Sequence, residues 1–191
     1  MKKKMIILSA SPVKNGNTAC LVRWFAEGVK NRGAEVKIVD IARIKYKVNG
    51  CISCQKCQES DKFRCVIDDA ATPVIASLAE KDMIVFATPL YFFGPTAQLK
   101  LFLDRMYSLV KLKHKLGMQN ALKNKKMVLL ASAAGSLTPG LVLLEKTFST
   151  IAAVTRMKFS SLLIPKAGGS GDIRNNKDIR KRTVRFSQEV L

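Results

Sequence analysis

The sequence predicts a doubly wound α/β domain, a five-stranded parallel sheet with helices on both faces. Three observations predict it. Short apolar runs alternate five times with longer amphipathic stretches. Each connection is long enough for a right-handed crossover. The 191 residues, 48% of them apolar, supply one well-packed core and no second one. The whole span 1–191 therefore reads as a single domain, with a cysteine-rich insertion at about 50–66.

Lys4 to Ser9 is the first strand, and it ends in a loop of small residues. From Asn17 to Asn31, Leu21, Trp24, Phe25 and Val29 fall on one helical face, and Gly33 supplies the stop. Glu35 to Asp40 follows as the second strand. Beyond the cysteines, Thr72 to Glu80 reads as a short helix leading into Met83 to Thr88, a nearly continuous apolar run of the kind buried on both faces. After the loop Pro89 to Pro95, Leu99, Phe102, Leu103, Met106 and Val110 recur at helical spacing, which predicts a helix over Thr96 to Val110. Lys126 to Ala131 is a fourth strand, Pro139 to Ala153 a fourth helix, Met157 to Ile164 a fifth strand, and Asn175 to Val190 a last, very basic helix.

Composition narrows the function classes. The 33 Lys and Arg against 14 Asp and Glu leave a net charge of +19, so an anionic partner is expected. No uninterrupted apolar run reaches the roughly 18 residues that span a bilayer, and Met5 to Ala10 is too short for a signal-peptide core. No membrane association and a cytoplasmic location are the expectations. Nucleic-acid binding would call for basic residues interleaved with exposed aromatics, or a reading motif, and neither is visible. Between Asp104 and Glu145 the chain carries Lys111, Lys113, Lys115, Lys123, Lys125 and Lys126 and no acidic residue. Most of these lysines read as a solvated surface, and the sharper expectation is steering of NADPH phosphates or an acidic electron carrier. His114, the only histidine, reads as a surface residue.

Ligands of doubly wound sheets sit beyond the carboxyl ends of the strands, where the strand order reverses. That directs attention to three loops. Ser9 to Thr18 carries hydroxyls, amides and Gly16 straight into a helix N-terminus, where free backbone N–H groups and donors on Ser11, Asn17 and Thr18 suit a phosphate monoester. It matches neither the dinucleotide glycine pattern nor the nucleoside-triphosphate loop. Simple capping by Asn17 or Thr18 is the bland alternative. Pro89-Leu-Tyr-Phe-Phe-Gly-Pro95 sets three aromatics at the mouth of the sheet, suited to a flat apolar ring with a polar edge, although one of Phe92 and Phe93 could instead be core. Ala131 to Thr138 is small-residue chain that lets a ligand approach the backbone closely.

Cys51, Cys54, Cys57 and Cys65 are spaced C-x2-C-x2-C-x7-C. Three thiolates two residues apart can fold around one soft centre and the fourth can close it, a spacing that favours an iron-sulfur cluster over structural zinc. Zinc, free thiols or a disulfide remain alternatives. Cys20 falls on the apolar face of the first helix and reads as packing.

Ser11-Pro-x-x-x-Gly-Asn-Thr18, Thr88-Pro-Leu-Tyr-Phe-Phe-Gly94 and Leu99-Lys-x-Phe-Leu-Asp-Arg105 together resemble the flavodoxin-like NADPH-dependent FMN reductases over about residues 4–165, and the cysteines narrow the resemblance to the iron-sulfur flavoprotein branch. It implies a three-layer sandwich with strand order 2-1-3-4-5. It implies FMN, with Ser9, Ser11, Pro12, Lys14, Asn17, Thr18 and Ala19 around the phosphate, Pro89, Leu90, Tyr91, Phe92, Phe93 and Gly94 around the ring, and Ser132 and Gly135 beside it. It also implies a [4Fe-4S] cluster on Cys51, Cys54, Cys57 and Cys65, with Lys56, Lys62 and Arg64 offsetting its charge. NAD(P)H or a ferredoxin-like carrier is the implied donor, no protein acid or base is required, and a homodimer or homotetramer is the implied assembly. Val13 stands where relatives often carry Arg, leaving Lys14 as the substitute charge. The Leu99 to Arg105 stretch reads as structural, with Lys100 and Asp104 paired on the helix surface. Two alternatives are a cluster-free NAD(P)H-dependent FMN or quinone reductase and, more remotely, a zinc-containing basic nucleic-acid module.

Overall fold

The structure, a computed structural model, describes residues 2–112 and 117–191. Lys113, His114 and Lys115 lie outside the described residues. The sheet contains β1 (Lys4–Ser9), β2 (Glu35–Asp40), β3 (Met83–Pro89), β4 (Lys126–Ser132) and β5 (Lys158–Ile164), all parallel, in the order β2-β1-β3-β4-β5. This is the doubly wound flavodoxin-like arrangement expected from the sequence.

The apolar runs explain the order. β1, β3 and β4 are central, and nearly every residue in them is buried because helices cover both faces. β2 is an edge strand, and its charged Glu35, Lys37 and Asp40 are exposed. Side chains alternate between two cores. Ile6, Leu8, Ile84 and Phe86 pack under α2 (Ala71–Ser77), α3 (Ala97–Arg105) and α4 (Val142–Val154). Met5, Ile7, Val85 and Val128 pack under α1 (Asn17–Lys30) and α5 (Lys177–Glu189). Cys20 is fully buried in the second core, as its position on α1 predicts.

α1 and α5 approach closely at Gly28. A Cβ there would sit 2.0 Å from Ser187 Oγ and 2.8 Å from the Val184 carbonyl oxygen, so the helices would have to separate. Gly28→Ala is expected to cost about 2 to 3 kcal/mol, the overpacking range, read as a lower urea midpoint at unchanged slope. An unchanged midpoint would mean the two helices slide freely.

One helix boundary differs from the periodicity. The helix expected to run to Val110 ends at Arg105, tightens through Met106–Leu109, and continues as Val110–Lys111 paired antiparallel with Gln119–Asn120. Gln58 of the cysteine segment donates to the carbonyls of Tyr107 (3.4 Å) and Val110 (3.0 Å), so a tertiary contact draws the chain out of the helix. The fourth helix begins after the extended Thr138, as expected from Pro139, and its helical backbone runs through Leu141 into Val142–Val154.

By length and composition, 137–154 is the one helical stretch among the described residues that could cross a membrane. Here Leu144, Phe148 and Ala152 face the core, while Val142, Leu143 and Val154 are exposed.

Candidate functional site

A cavity of about 300 Å³ opens at the carboxyl ends of β1, β3, β4 and β5, at the reversal of strand order. Its floor is the start of α1. Gly16, the N-cap, offers no side-chain cap, and no backbone carbonyl takes the N–H groups of Asn17, Thr18 or Ala19 among the described residues. Those donors and the positive helix end are what a phosphate requires. A Cβ on Gly16 would lie 3.1 Å from Cγ1 of the exposed Val13, a tight contact that the Val13 side chain would have to relieve. Ser11, Asn17 and Thr18 line the cavity and are buried. Ser11 Oγ accepts from Val13 N–H at 3.2 Å and shapes the loop.

The Asn17 side chain has a different task from the one expected. Its Nδ2 donates to the carbonyls of Ala167 (3.0 Å) and Gly169 (2.9 Å), and its Oδ1 accepts from Ile173 N–H (3.2 Å). It fastens the chain after β5 to α1 and leaves its backbone N–H for an anion. Two arginines that sequence reasoning missed brace the same loop: Arg43 donates to Pro12 O at 3.0 Å and Arg174 to Asn15 O at 3.1 Å. Lys14, the expected substitute charge, is exposed and outside the lining, as is Pro12, and the half-buried Ser9 and Ala19 also lie outside it.

The opposite wall is Pro89, Leu90 and Tyr91, with Ser132, Ala133 and Ala134 beside them. Leu90 N–H donates to Ser132 O at 2.8 Å, tying the β3 and β4 loops together. Thr96 Oγ1 donates to Ala10 O at 2.8 Å and ties in the β1 loop. Gly135 stays outside the lining, although its carbonyl accepts from Lys166 N–H at 2.8 Å. The fourth segment, Ala167–Ser170, was not among the three loops picked out. Its signal was present, a run Ala-Gly-Gly-Ser-Gly directly after the fifth strand.

Phe92 and Phe93 form the tip of a two-residue turn closed by reciprocal 3.0 Å bonds between Tyr91 and Gly94, and both have left-handed φ, +42° and +66°. Such turns ordinarily carry Asn-Gly, so two phenylalanines there are strained. Neither is core, contrary to one alternative above: Phe92 is 99% exposed, Phe93 56%, and the rings meet edge-on. Replacing Phe92-Phe93 by Asn-Gly is expected to stabilise the FMN-free protein by about 1 kcal/mol and to weaken FMN binding at least several-fold, read by thermal melts with and without FMN. Equal gains with and without FMN would remove the rings from the site.

The cysteine segment packs against α3. Gly50 (φ +89°), Ser53 (φ +56°) and Gln55 (φ +59°) bend it through left-handed conformations, and Lys56–Glu59 forms a single helical turn. A Cβ on Gly50 would come within 3.2 Å of Asp104 Oδ2. Cys51 and Cys54 are exposed, Cys65 half-buried and Cys57 buried. All four border one cavity of about 20 Å³ with Arg105, Tyr107 and Ser108. Ser53 N–H donates to Cys51 Sγ at 3.4 Å and Gln58 Nε2 to Cys57 Sγ at 3.6 Å. Burial pushes the Cys57 thiol up, and its neighbouring thiols add to that against the Gln58 bond. Among the described residues, no three His, Cys, Asp or Glu converge tightly enough to grip a metal ion as they stand.

Arg105 closes this site from below. Its side chain is fully buried and donates to Asp69 Oδ2 (2.6 Å), Thr72 Oγ1 (2.6 Å) and Ile67 O (3.2 Å). Its Nε has no hydrogen-bond partner, a buried donor left over beside the cysteines. Burial alone would raise Asp69, but Arg105 and the backbone N–H groups of Lys47 and Thr72 outweigh it and hold the carboxyl at about 2. Lys100 and Asp104 pair on the surface as expected (2.5 Å), whereas Arg105, two turns into the same motif, points inward. The spacing of the motif gave no sign of that, because its partner Asp69 lies 36 residues away.

Lys123, Lys125 and Lys126 are elsewhere. With Lys3, Lys81 and Lys158 they line a cavity of about 340 Å³ at the amino ends of the strands, the pole opposite the α1 N-terminus. Burial pulls Lys125 down, against Asp82. These lysines therefore do not face the candidate site.

A doubly wound sheet with an uncapped helix N-terminus at its switch point, faced by Pro89, Leu90 and Tyr91, is an architecture of the flavodoxin type. Residues 3–166 match the model of the NADPH-dependent FMN reductases, and the chain belongs to that family. It is 36% identical over 102 residues to an iron-sulfur flavoprotein of Methanocaldococcus jannaschii, 53% of this chain and 51% of that one. It is 33% identical over 103 residues to an iron-sulfur flavoprotein of Archaeoglobus fulgidus, 54% of this chain and 45% of that one. The match thus spans about half the length of these curated relatives. In fold it is similar to an NAD(P)H:quinone oxidoreductase from Methanothermobacter marburgensis (TM-score 0.71, 18% identity, 99% of this chain and 97% of that one). It is also similar to an FMN-dependent NADH-azoreductase from Bacillus anthracis, solved with FMN (TM-score 0.67, 11% identity, 98% and 99%). Family and fold leave the nucleic-acid alternative without support.

Proposed function

We propose that this protein is an iron-sulfur flavoprotein, an FMN-dependent oxidoreductase that passes electrons between NAD(P)H or a reduced carrier and an acceptor. The observation that carries it is the packing of four cysteines around one cavity against α3, in a chain whose family binds FMN. The donor set fits a compact anionic centre: four sulfurs, N–H groups aimed at two of them, and a leftover Arg105 donor beside them.

When bound, FMN supplies hydride and electron chemistry at its ring, and a [4Fe-4S] cluster supplies one-electron chemistry. The chain's own residues bind and orient. The N–H groups of Asn17, Thr18 and Ala19 and the Ser11 and Thr18 hydroxyls would hold the phosphate, with Arg174 adding charge while Arg43 is paired with Asp40. Pro89, Leu90 and Tyr91 would flank the ring, and the strained Phe92 and Phe93 would shield it from water. Cys51, Cys54, Cys57 and Cys65 would ligate the cluster, in a reducing compartment that keeps them from pairing as disulfides.

The second reading, a cluster-free FMN or quinone reductase, draws support from the 20 Å³ between the cysteines, room for about one water. An anaerobic ultraviolet-visible spectrum with iron and sulfide analysis separates the two, followed by stepwise reduction with NADPH and with reduced ferredoxin. About four irons and four sulfides per FMN are expected. FMN with no iron would leave the reductase reading, and no FMN would sink both.

The same reading makes the protein a homodimer or homotetramer. Gly140 packs against Leu90 and Phe93, so exposed Phe92, Phe93, Leu137, Val142 and Leu143 gather at one rim of the site. Such a patch is covered by a second copy in an oligomer. Leu143→Glu is expected to shift the protein to monomer in light scattering and to reduce retained FMN. A wild type already monomeric would end this proposal.

A further inference from the structure

Every strand that ends at the switch-point cavity begins beside a lysine. Lys3 precedes β1, Lys81 precedes β3, Lys123 and Lys125 precede β4, and Lys158 opens β5. These separated stretches bring their lysines to one cavity of about 340 Å³ at the amino pole of the sheet, a size within the range of small-molecule sites. The sheet ladder fixes the rim: Asp82 N–H donates to Lys4 O (2.8 Å), Lys126 N–H to Asp82 O (2.9 Å) and Lys158 N–H to Lys125 O (2.9 Å). Lys125 Nζ also donates to Lys81 O at 2.8 Å, which joins two of the loops.

The charge on this rim is largely unmatched. Among the described residues, none of Lys3, Lys81, Lys123, Lys125 and Lys158 forms an ion pair with a carboxylate. Asp82, the one acidic side chain among the described lining residues, accepts from Lys4 N–H at 2.7 Å. Lys126 is spent on the main-chain oxygens of Val190 (2.8 Å) and Leu191 (2.9 Å) and is left out of account. Burial pulls Lys125 below the ordinary lysine value, against the opposing effect of Asp82. Like charges that converge in a cavity repel one another, so an anion placed among them is attracted by all of them at once.

We infer that this lysine-lined cavity is a second anion site, separate from the α1 N-terminus, and that it takes a small ligand carrying linked phosphates. A protein partner would need exposed aromatic or aliphatic anchors, and none of the exposed large apolar side chains lies in the lining. A nucleic acid would use aromatic platforms and arginines, and the described lining has neither. Ammonium groups are compact point charges that suit phosphoryl oxygens packed into a small volume. The seven residues of β3, at about 3.3 Å each, put this site roughly 20 Å from the switch-point cavity, too far for its ligand to touch anything bound there. Neither FMN nor a metal centre is required for it.

The experiment is a calorimetric titration of the full chain with excess FMN, at about 0.15 M salt so that diffuse attraction is screened. The probes are sodium tripolyphosphate, orthophosphate and a hexaglutamate peptide. One triphosphate per chain is expected, bound at least about tenfold more tightly than either of the others. Lys123→Gln with Lys158→Gln removes two exposed lysines that hold no partner among the described residues, and should weaken triphosphate binding about tenfold with FMN affinity within twofold of wild type. Lys81→Gln, from another loop of the rim, should weaken it several-fold by itself. Lys177→Gln with Lys181→Gln removes the same charge from the exposed face of α5 and should leave triphosphate binding within twofold of wild type.

Equal weakening by the two double variants would assign the binding to net charge and overturn the site. So would a wild type that binds no triphosphate. Tighter binding of hexaglutamate than of triphosphate would overturn it in favour of an acidic protein partner. Release of FMN by triphosphate would place the anion at the α1 N-terminus instead. A chain that takes up no FMN would sink the flavin reading alone, because the lysine variants still report on a site at the other pole of the sheet. If the Lys123 and Lys158 double variant does not fold, Lys81→Gln decides: weakened binding supports the site and unchanged binding overturns it.

Discussion

Thr18→Asp is expected to lower FMN affinity at least a hundredfold while leaving the fold as stable as wild type or slightly more so. Thr18 is 2% exposed, lines the cavity and lies in the first turn of α1, where no side chain caps the free N–H groups. An aspartate of similar size would take those donors and interact favourably with the helix end, worth about 0.3 to 1 kcal/mol in the free protein. The same carboxylate would repel a phosphate dianion. At about 4 Å and an effective dielectric near 20, each pair of unit charges is worth about 4 kcal/mol, so a hundredfold loss is a lower figure. Flavin fluorescence titration and thermal melting, done side by side, read the two effects. Retained affinity would put the phosphate somewhere other than the α1 N-terminus.

Arg105→Met is expected to be the most destabilising single change in the α3 face, by about 3 to 5 kcal/mol, because it strands the buried Asp69 carboxylate. The change also has a pH signature. In the wild type Asp69 is held at about 2 against an ordinary 3.8. A carboxyl depressed in the folded state contributes stability that is fully present above its unfolded value and is lost as pH falls through the folded one. That contribution, about 2 kcal/mol, is therefore intact above about pH 4 and gone near pH 2. Without Arg105 this acid limb should vanish and stability should instead improve as the stranded carboxyl is protonated. Urea unfolding between pH 2 and 6 tests it. Parallel acid limbs in the two proteins would separate Asp69 from Arg105.

Much of the fold was legible because it rests on local patterning. Runs such as Met83–Pro89 are apolar throughout only where both faces of a strand are covered, and Gly33, in a left-handed conformation, ends α1 where the pattern stops. Where tertiary contacts outweighed periodicity, the reading failed. Val110 keeps the helical spacing of Leu99 and Phe102 but belongs to a strand, since Gln58 holds its carbonyl. The candidate site divides in the same way. Ser11, Thr18, Pro89, Leu90, Tyr91 and Ser132 were found from loop chemistry at the strand ends, and the cavity contains them. Asn17 was found for the wrong task, because an amide side chain reads the same whether it faces a phosphate or the chain 150 residues away.

The sequence alone determined the parallel sheet and the compact cysteine spacing, both properties of near neighbours along the chain. Tertiary structure decided which charges matter. Of 33 basic side chains, Lys123, Lys125 and Lys126 went to the far pole of the sheet, while Arg43 and Arg174 reached the loop after β1. Arg105 and Lys111 were buried beside the cysteine segment, one on Asp69 and the other on three backbone carbonyls. Local sequence cannot encode that choice, because a charge acquires its role from its burial and its partner, and both are set by residues tens of positions away.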